Sequence, residues 1–211
     1  MKRLIILWLA FGFIHQSTYA QDWNFRYGLK LGLSAPSYHL SDIQTGTSRE
    51  ASRTYGFSLT GTIEASRNNY FALQSGLSFQ MLGSQLDYSE FGSTPVTQRT
   101  FWLQLPVNFI AKLPLRDSSN FFLSAGPYGA VGFFGANGFA GNYQGSREDF
   151  SFGSNASQNR FDYGLNLSIG YHLKGGYSIA VGYMMGLADL STNSRYEQRN
   201  RAWSITFGYT F

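Results

Sequence analysis

Few residues of this chain have side chains that could do covalent chemistry. After the first twenty residues the histidines are His39 and His172, and the sequence contains no cysteine. His39 is close in sequence to Ser37, Ser41 and Asp42, the residue types of a catalytic triad, but a triad needs a geometry that proximity in sequence does not provide. Two histidines without a cysteine argue against a metal site, and no phosphate-binding loop or dinucleotide motif is present. We therefore expect no catalysis, no metal and no other cofactor, and interpret the segment around His39 as a polar loop.

Guanidinium groups form the other chemically capable set, because arginine binds phosphate through two parallel hydrogen bonds. Arginines, and no lysines, occur in or beside the four long polar segments that separate apolar stretches of the chain. We expect phosphate contacts from five of them: Arg49, Arg53, Arg195, Arg199 and Arg201. The alternative, which the sequence leaves open, is neutralisation by the acidic residues of the same segments: Asp42, Glu50, Asp87, Glu90, Glu148, Asp149, Asp189 and Glu197.

The elements that position these residues are stretches in which apolar side chains alternate with small or polar ones. Because side chains alternate between the two faces of a strand, each stretch predicts a β-strand with one apolar face. The predicted strands are 23–35, 54–66, 70–82, 99–112, 121–134, 160–171, 177–187 and 201–211. The pattern is weakest in 121–134, where both faces carry apolar residues. Pro106 predicts a bulge or local bend in the fourth strand, since proline has no N–H to donate.

The connections between these strands alternate in length. The short ones are 67–69, 113–120 and 172–175, and the long ones are 36–53, 83–98, 135–159 and 188–200. Outer-membrane barrels have short periplasmic turns and long extracellular loops, and an even strand number puts both termini in the periplasm. The sequence therefore predicts an all-β fold, an eight-stranded antiparallel up-and-down transmembrane β-barrel.

Aromatic residues favour lipid rather than water around this barrel. Outward aromatics near the periplasmic ends of the strands are Phe25, Phe71, Phe109, Phe121, Tyr171, Tyr177 and Phe211. Those near the outer ends are Tyr55, Phe79, Phe101, Phe133, Phe161 and Trp203. Amphipathic rings favour the two membrane–water interfaces, so the two groups are typical of aromatic belts. A periplasmic lipocalin-like barrel is the alternative.

The first twenty residues have the order of a secretory signal. Lys2 and Arg3 precede an apolar run, residues 4–14, and Thr18-Tyr19-Ala20 provides a cleavage site. We expect cleavage after Ala20, which leaves residues 21–211 as one barrel domain in the bacterial outer membrane. Without Lys2 and Arg3, the 16 basic residues become 14 against 12 acidic ones, and the net charge falls from +4 to +2. Such a charge does not indicate nucleic acid as a partner.

The expected location also indicates which partners the protein would meet. The phosphates that the arginines would meet are those of outer-leaflet glycolipid, and envelope proteins are further candidate partners of the loops. A last strand that ends on the aromatic Phe211 predicts recognition by the barrel-assembly machinery.

Two charged residues of opposite sign are predicted to meet inside the barrel. Arg26 lies near the periplasmic start of the first strand and Glu64 near the periplasmic end of the second, both on the inward face. Because an enclosed charge is costly unless it is paired, we expect an Arg26–Glu64 ion pair, helped by Gln74 or Gln104. Lys30 and Lys112 also face inward, so some lumen cations must rely on water or carbonyl groups.

Several short motifs resemble the PorT-like outer-membrane β-barrel family. Residues 103–107, LQLPV, resemble its L-x-[IL]-P-[LV] strand, with Lys112 as the basic residue that often follows. Similar likenesses occur at 126–129, at 162–171 and at 182–187, although Ser168 and Met184 depart from the pattern. The resemblance covers nearly the whole chain after the signal. It implies an outer-membrane barrel without a shared reaction, and some members of that family are linked to protein secretion.

Three classes of function follow from these observations. The first is a structural or interaction barrel that acts through its extracellular loops, and this is the one we expect. The second is an accessory role in protein secretion or envelope assembly. The third is a small passive channel, which an eight-stranded barrel disfavours because side chains fill so narrow an interior.

Overall fold

The computed structural model describes residues 23–86, 96–115, 118–139, 147–153 and 156–211. Its eight long strands are β1 (Asn24–Asp42), β3 (Gly56–Ser66), β4 (Phe71–Leu86), β5 (Val96–Pro114), β6 (Asn120–Phe139), β8 (Phe161–His172), β9 (Tyr177–Gly186) and β10 (Tyr196–Thr210). Two short strands are β2 (Ser48–Glu50) and β7 (Arg147–Phe150). The predicted cleavage site at Ala20 lies outside the described residues. In the described ranges, no helix has the length and apolar character needed to cross a membrane.

The eight long strands form a closed antiparallel ring in chain order. Each pairs with its neighbour in the sequence, and β10 pairs with β1 from Gly28 opposite Thr210 to Asp42 opposite Tyr196. Closure gives every long strand two partners, so the backbone of the wall has no free edge. The predicted eight-stranded up-and-down barrel, with short periplasmic turns and longer connections at the opposite, outer end, is confirmed.

The outer surface of the ring carries a wide apolar belt. Leu31, Leu167 and Phe207 are 60%, 52% and 54% exposed, and the predicted outward face of every long strand is similar. Rings pack against each other across neighbouring strands, as Phe71 does on Phe109 at 5.5 Å between ring centroids and Tyr183 on Trp203 at 4.8 Å. A continuous apolar belt of this extent is unfavourable in water and matches the lipid-facing surface of a membrane barrel.

Several strands extend further at the outer end than the alternation predicts. β1 continues to Asp42 instead of ending at Ala35, and its added residues pair with Tyr196 to Ala202 of β10. β4 continues to Leu86 and pairs with the start of β5 at Val96. These extensions were missed because they lie beyond the apolar belt, where no lipid requires an apolar face. They form a hydrogen-bonded wall that stands above the belt, which we call the outer wall.

Of the bulge or local bend predicted at Pro106, the bulge is wrong, and the bend stays a prediction. The register between β5 and β6 is the same on both sides of Pro106, although the ladder is interrupted there, and the Pro106 carbonyl accepts a hydrogen bond from Ser75 Oγ at 3.0 Å. The register shifts instead at Phe101 and Trp102, opposite Phe133. After this bulge Phe134 points outward like Phe133, and it stacks on Phe101 at 4.2 Å.

Candidate functional site: lumen and outer rim

The periplasmic half of the lumen is built on a row of polar side chains from four adjacent strands. Cross-strand pairing puts Arg26, Glu64, Gln74 and Asn108 side by side on the inner face of β1, β3, β4 and β5. Arg26 Nη2 donates to Glu64 Oε1 at 2.6 Å, and Gln74 Nε2 donates to Glu64 Oε2 at 3.3 Å. The structure thus brings together the two residues predicted to form the lumen ion pair.

A second cation, Lys112, also reaches Glu64. Lys112 Nζ donates to Glu64 Oε1, and both side chains are only 4% exposed. Sequence reasoning did not predict this contact, in which the long Lys112 side chain reaches from β5 across β4 to the carboxylate. Gln104, expected as a partner of the pair, instead accepts a hydrogen bond from Gln80 Nε2. Glu64 is therefore the shared anion of two lumen cations.

A cavity of about 160 Å³, lined by both polar and apolar side chains, occupies the lumen beside this network. Lys30 extends into it, and Lys30 Nζ donates to Gln74 Oε1 at 2.6 Å. Much of the remaining lining consists of hydroxyl groups: Ser34, Ser58, Thr60, Thr62, Ser75, Ser78, Ser168, Ser178, Ser204 and Thr206. A cavity of this size and polarity holds several waters, since one water takes about 30 Å³.

The outer half of the lumen is filled by a cluster that we call the outer plug. It consists of Leu82, Trp102, Tyr128, Ala130, Phe150, Phe152, Met184, Ala188, Leu190 and Ala202. The Phe152 ring packs edge-on against Trp102 at 5.1 Å between centroids, and a Cβ at Gly132 would collide with the same ring. Trp102 and Leu190 are fully buried. The segments after β7 and β9 therefore fold into the barrel mouth instead of leaving it open.

Buried polar groups accompany the outer plug. Asp162 Oδ2 accepts hydrogen bonds from the Tyr128 hydroxyl at 3.0 Å and from Asn200 Nδ2 at 2.8 Å. The Tyr38 hydroxyl and both amide atoms of the Gln158 side chain are buried without a hydrogen-bond partner in the described part of the protein. Buried polar atoms of this kind usually bind ordered water. Sequence reasoning missed Tyr38 and Gln158, because both lie in segments that it interpreted as loops.

Four of the five arginines predicted to contact phosphate have acceptors within the protein. Arg195 lies 3.1 Å from Asp42, Arg199 2.6 Å from Glu197 and Arg53 4.0 Å from Glu50. Arg201 Nη1 donates to the carbonyls of Gly186 and Asn200. Arg49 lies exposed in β2. The three ion pairs are contacts of the kind that the neutralisation alternative describes, and contact with glycolipid phosphate stays a prediction.

Asp42 anchors the best connected of these pairs. Desolvation raises the pKa of its carboxyl group, but hydrogen bonds from the backbone amides of Gln44 and Thr45 and from Arg195 lower the pKa below its usual value. Asp42 thus stays ionised and joins the turn after β1 to the start of β10.

The residues weighed for catalysis do not form a triad in the described part of the chain. No hydrogen bond there connects the His39 side chain to Ser37, Ser41 or Asp42. Ser37 is buried in the wall. His172 Nδ1 lies 2.9 Å from Asn120 Oδ1, and its ring stacks on Phe122. Across the described residues no cluster of three or more metal-ligating side chains occurs.

Comparison with known proteins agrees with the fold. A family model described as "Outer membrane protein beta-barrel domain" matches residues 19–192. No curated protein matches the sequence. Among solved structures, the Neisserial surface protein A is similar at 12% identity and a TM-score of 0.47 over 87% of this chain and 97% of that one. The outer-membrane protein OprG from Pseudomonas aeruginosa is similar at 13% identity and a TM-score of 0.47, over 89% of this chain and 95% of that one. The attachment invasion locus protein Ail of Yersinia pestis is similar at 12% identity and a TM-score of 0.41, over 89% of this chain and 99% of that one. These likenesses concern the fold alone.

Proposed function

Because this chain belongs to the outer membrane protein β-barrel domain family, we propose that it is a non-conducting barrel that works through the surface at its outer end. The observation that carries this proposal is the outer plug, which fills the lumen where a channel would need an opening. A structural or interaction role then remains for the outer wall and the connecting loops.

The outer plug argues against the passive-channel class on physical grounds. Trp102 and Leu190 are fully buried at its centre, and Phe150 and Phe152 pack against them from a segment outside the ring. Opening a path for solutes would expose these apolar side chains to water at a cost of about 1.5–3 kcal/mol for each large one. The ion pairs of Glu64 occupy part of the lumen nearer the periplasmic end.

The outer wall gives the barrel a rigid surface for partners. Seven residues of β1, from Pro36 to Asp42, pair with β10 above the apolar belt, and β2 extends the same sheet. Side chains on paired strands lose less conformational freedom on binding than side chains on mobile loops, which favours affinity. Glycolipid of the outer leaflet is the partner nearest to the rim arginines, Arg49 foremost, and envelope proteins are the alternative partners.

Three finer assignments belong to the same proposal. The motif at 103–107 and the glycine–aromatic pairs of β8 and β9 support a PorT-like barrel, and with it an accessory role in secretion as the second candidate function. The order of residues 1–20 supports export with cleavage after Ala20. The exposed aromatic face of β10, up to Phe211, supports recognition by the barrel-assembly machinery.

Conductance in planar bilayers tests the proposal. We expect insertion of the purified protein without stepwise current, and we expect current from a variant that carries both Phe152→Ala and Leu190→Ala, because the plug loses its centre. Phe207→Ala, which removes a ring from the lipid-facing side, is the matched control and should stay silent. Regular steps from the unmodified protein would refute a closed lumen and favour the channel class.

A further inference from the structure

The charges inside the periplasmic half of the barrel do not balance. The described side chains there include three cations, Arg26, Lys30 and Lys112, and one carboxylate, Glu64. Glu64 already binds both Arg26 and Lys112. Among the described residues, two positive charges therefore remain in excess within a lumen that lipid surrounds. Such an excess is unfavourable in a low-dielectric setting unless a counter-charge or abundant water accompanies it.

Lys30 is the cation whose hydrogen-bond acceptor is neutral. Its Nζ donates to the amide oxygen of Gln74 at 2.6 Å, and the Gln74 amide nitrogen in turn donates to Glu64. A lysine ammonium group has three protons to donate, so two of them remain available for other acceptors when one amide oxygen is bound. Lys30 also lines the 160 Å³ cavity, so that these protons are available there.

The wall of the same cavity supplies further hydrogen-bond donors. Ser178 and Thr206 come from the strands next to β1 on one side, and Thr60 and Ser78 from those on the other. The hydroxyl oxygens of Thr60 and Ser78 are 2.7 Å apart, so one hydroxyl donates to the other. The hydroxyl that accepts still has its own proton to donate to another group. An approach from the periplasm passes Arg26, whose side chain is 41% exposed at that end. A positive entrance concentrates anions and repels cations.

We propose that this cavity binds a small inorganic anion of the chloride class, held by the Lys30 ammonium group and the surrounding hydroxyls. The anion enters from the periplasm, because the outer plug closes the opposite side. The volume admits a monatomic anion with a few waters, and gluconate, a six-carbon carboxylate, serves as the bulky comparison anion. This inference concerns the lumen and does not depend on what the outer wall binds.

Thermal unfolding in non-ionic detergent tests the site. A ligand that binds only the folded state raises the unfolding midpoint with the logarithm of its concentration. We expect sodium chloride to raise the midpoint of the unmodified protein above that in sodium gluconate of equal ionic strength. Lys30→Met should abolish this difference and Lys30→Arg should keep it. Because each variant is compared with itself in two salts, a change in its basal stability does not affect the reading.

Lys174→Met is the matched control, since Lys174 is an exposed lysine in the periplasmic turn between β8 and β9. This variant should keep the full chloride dependence. Crystals grown with sodium bromide should also show an anomalous peak beside Lys30 Nζ. Equal midpoints of the unmodified protein in the two salts, or a chloride dependence that survives in Lys30→Met, would overturn the proposal.

Discussion

Replacing Glu64 by glutamine should destabilise the barrel by about 3–5 kcal/mol, because the change removes the shared anion of two lumen cations. Most of this loss comes from Lys112, whose side chain is 4% exposed, as is that of Glu64. Arg26 contributes less than about 1 kcal/mol, because its side chain is 41% exposed and water can replace the carboxylate there. Glutamine keeps the size of the side chain, so packing changes little.

The measurement is urea-induced unfolding in detergent micelles, followed through the fluorescence of the tryptophans, of which Trp102 is fully buried. Glu197→Gln is the matched control, since it removes a carboxylate that pairs with Arg199 at the partly exposed outer rim and should cost at most about 1 kcal/mol. The double variant Glu64→Gln with Lys112→Met should recover part of the loss, because the ammonium group that loses its carboxylate is removed as well. An unchanged midpoint for Glu64→Gln, or a double variant no more stable than the single one, would refute the reasoning.

Three further predictions concern the membrane, the outer rim and export. Leu167→Arg should destabilise the folded barrel by about 2–4 kcal/mol and prevent assembly into a heat-modifiable barrel. Asn166→Ser, on the lumen side, should have a mild effect. If a gel-shift assay shows that both variants are tolerated equally, the lipid-facing and lumen-facing sides are misassigned. Replacing Arg195, Arg199 and Arg201 by glutamine should weaken binding to phosphorylated but not to dephosphorylated glycolipid. Unchanged binding would favour neutralisation of these arginines by acidic residues. Protein from the membrane fraction should begin at Gln21, and N-terminal sequencing that reads from Met1 would contradict cleavage after Ala20.

The parts of the fold that lipid constrains were the parts that the sequence predicted. Alternation with period two is obligatory where one face meets lipid and the other the lumen, and there the predicted strands agree with the structure within a few residues. The weak pattern of the fifth strand has a local cause. The bulge at Phe133 reverses the phase of alternation, so Phe133 and Phe134 both face outward, and Phe122 and Tyr128 add apolar side chains to the inner face.

The parts that the sequence did not predict depend on pairing between distant residues. Arg26 and Glu64 could be matched because their strands are consecutive and their depth follows from counting residues. Lys112 contacts the same carboxylate from β5, two strands away from β3 in the ring. A contact over that distance leaves no pattern in the local sequence from which it could be predicted. The outer plug was missed because Phe152 and Leu190 lie in segments without strand periodicity, where isolated apolar residues carry no signal of what they pack against.

Closure of the ring by β1 and β10 has a consequence for how the chain reaches this state. The two strands that seal the wall come from opposite ends of the barrel sequence, so β1 cannot gain its second partner until the last strand is available. Until then the inner residues of β1, such as Lys30, face an incomplete wall, and its open edge can pair with strands of other chains. Contacts this distant in sequence make folding slow, since the entropy of closing a long loop is lost before the contact forms. We therefore predict that a chaperone or an assembly factor that shields the edge of β1 until β10 arrives speeds the closure of the barrel.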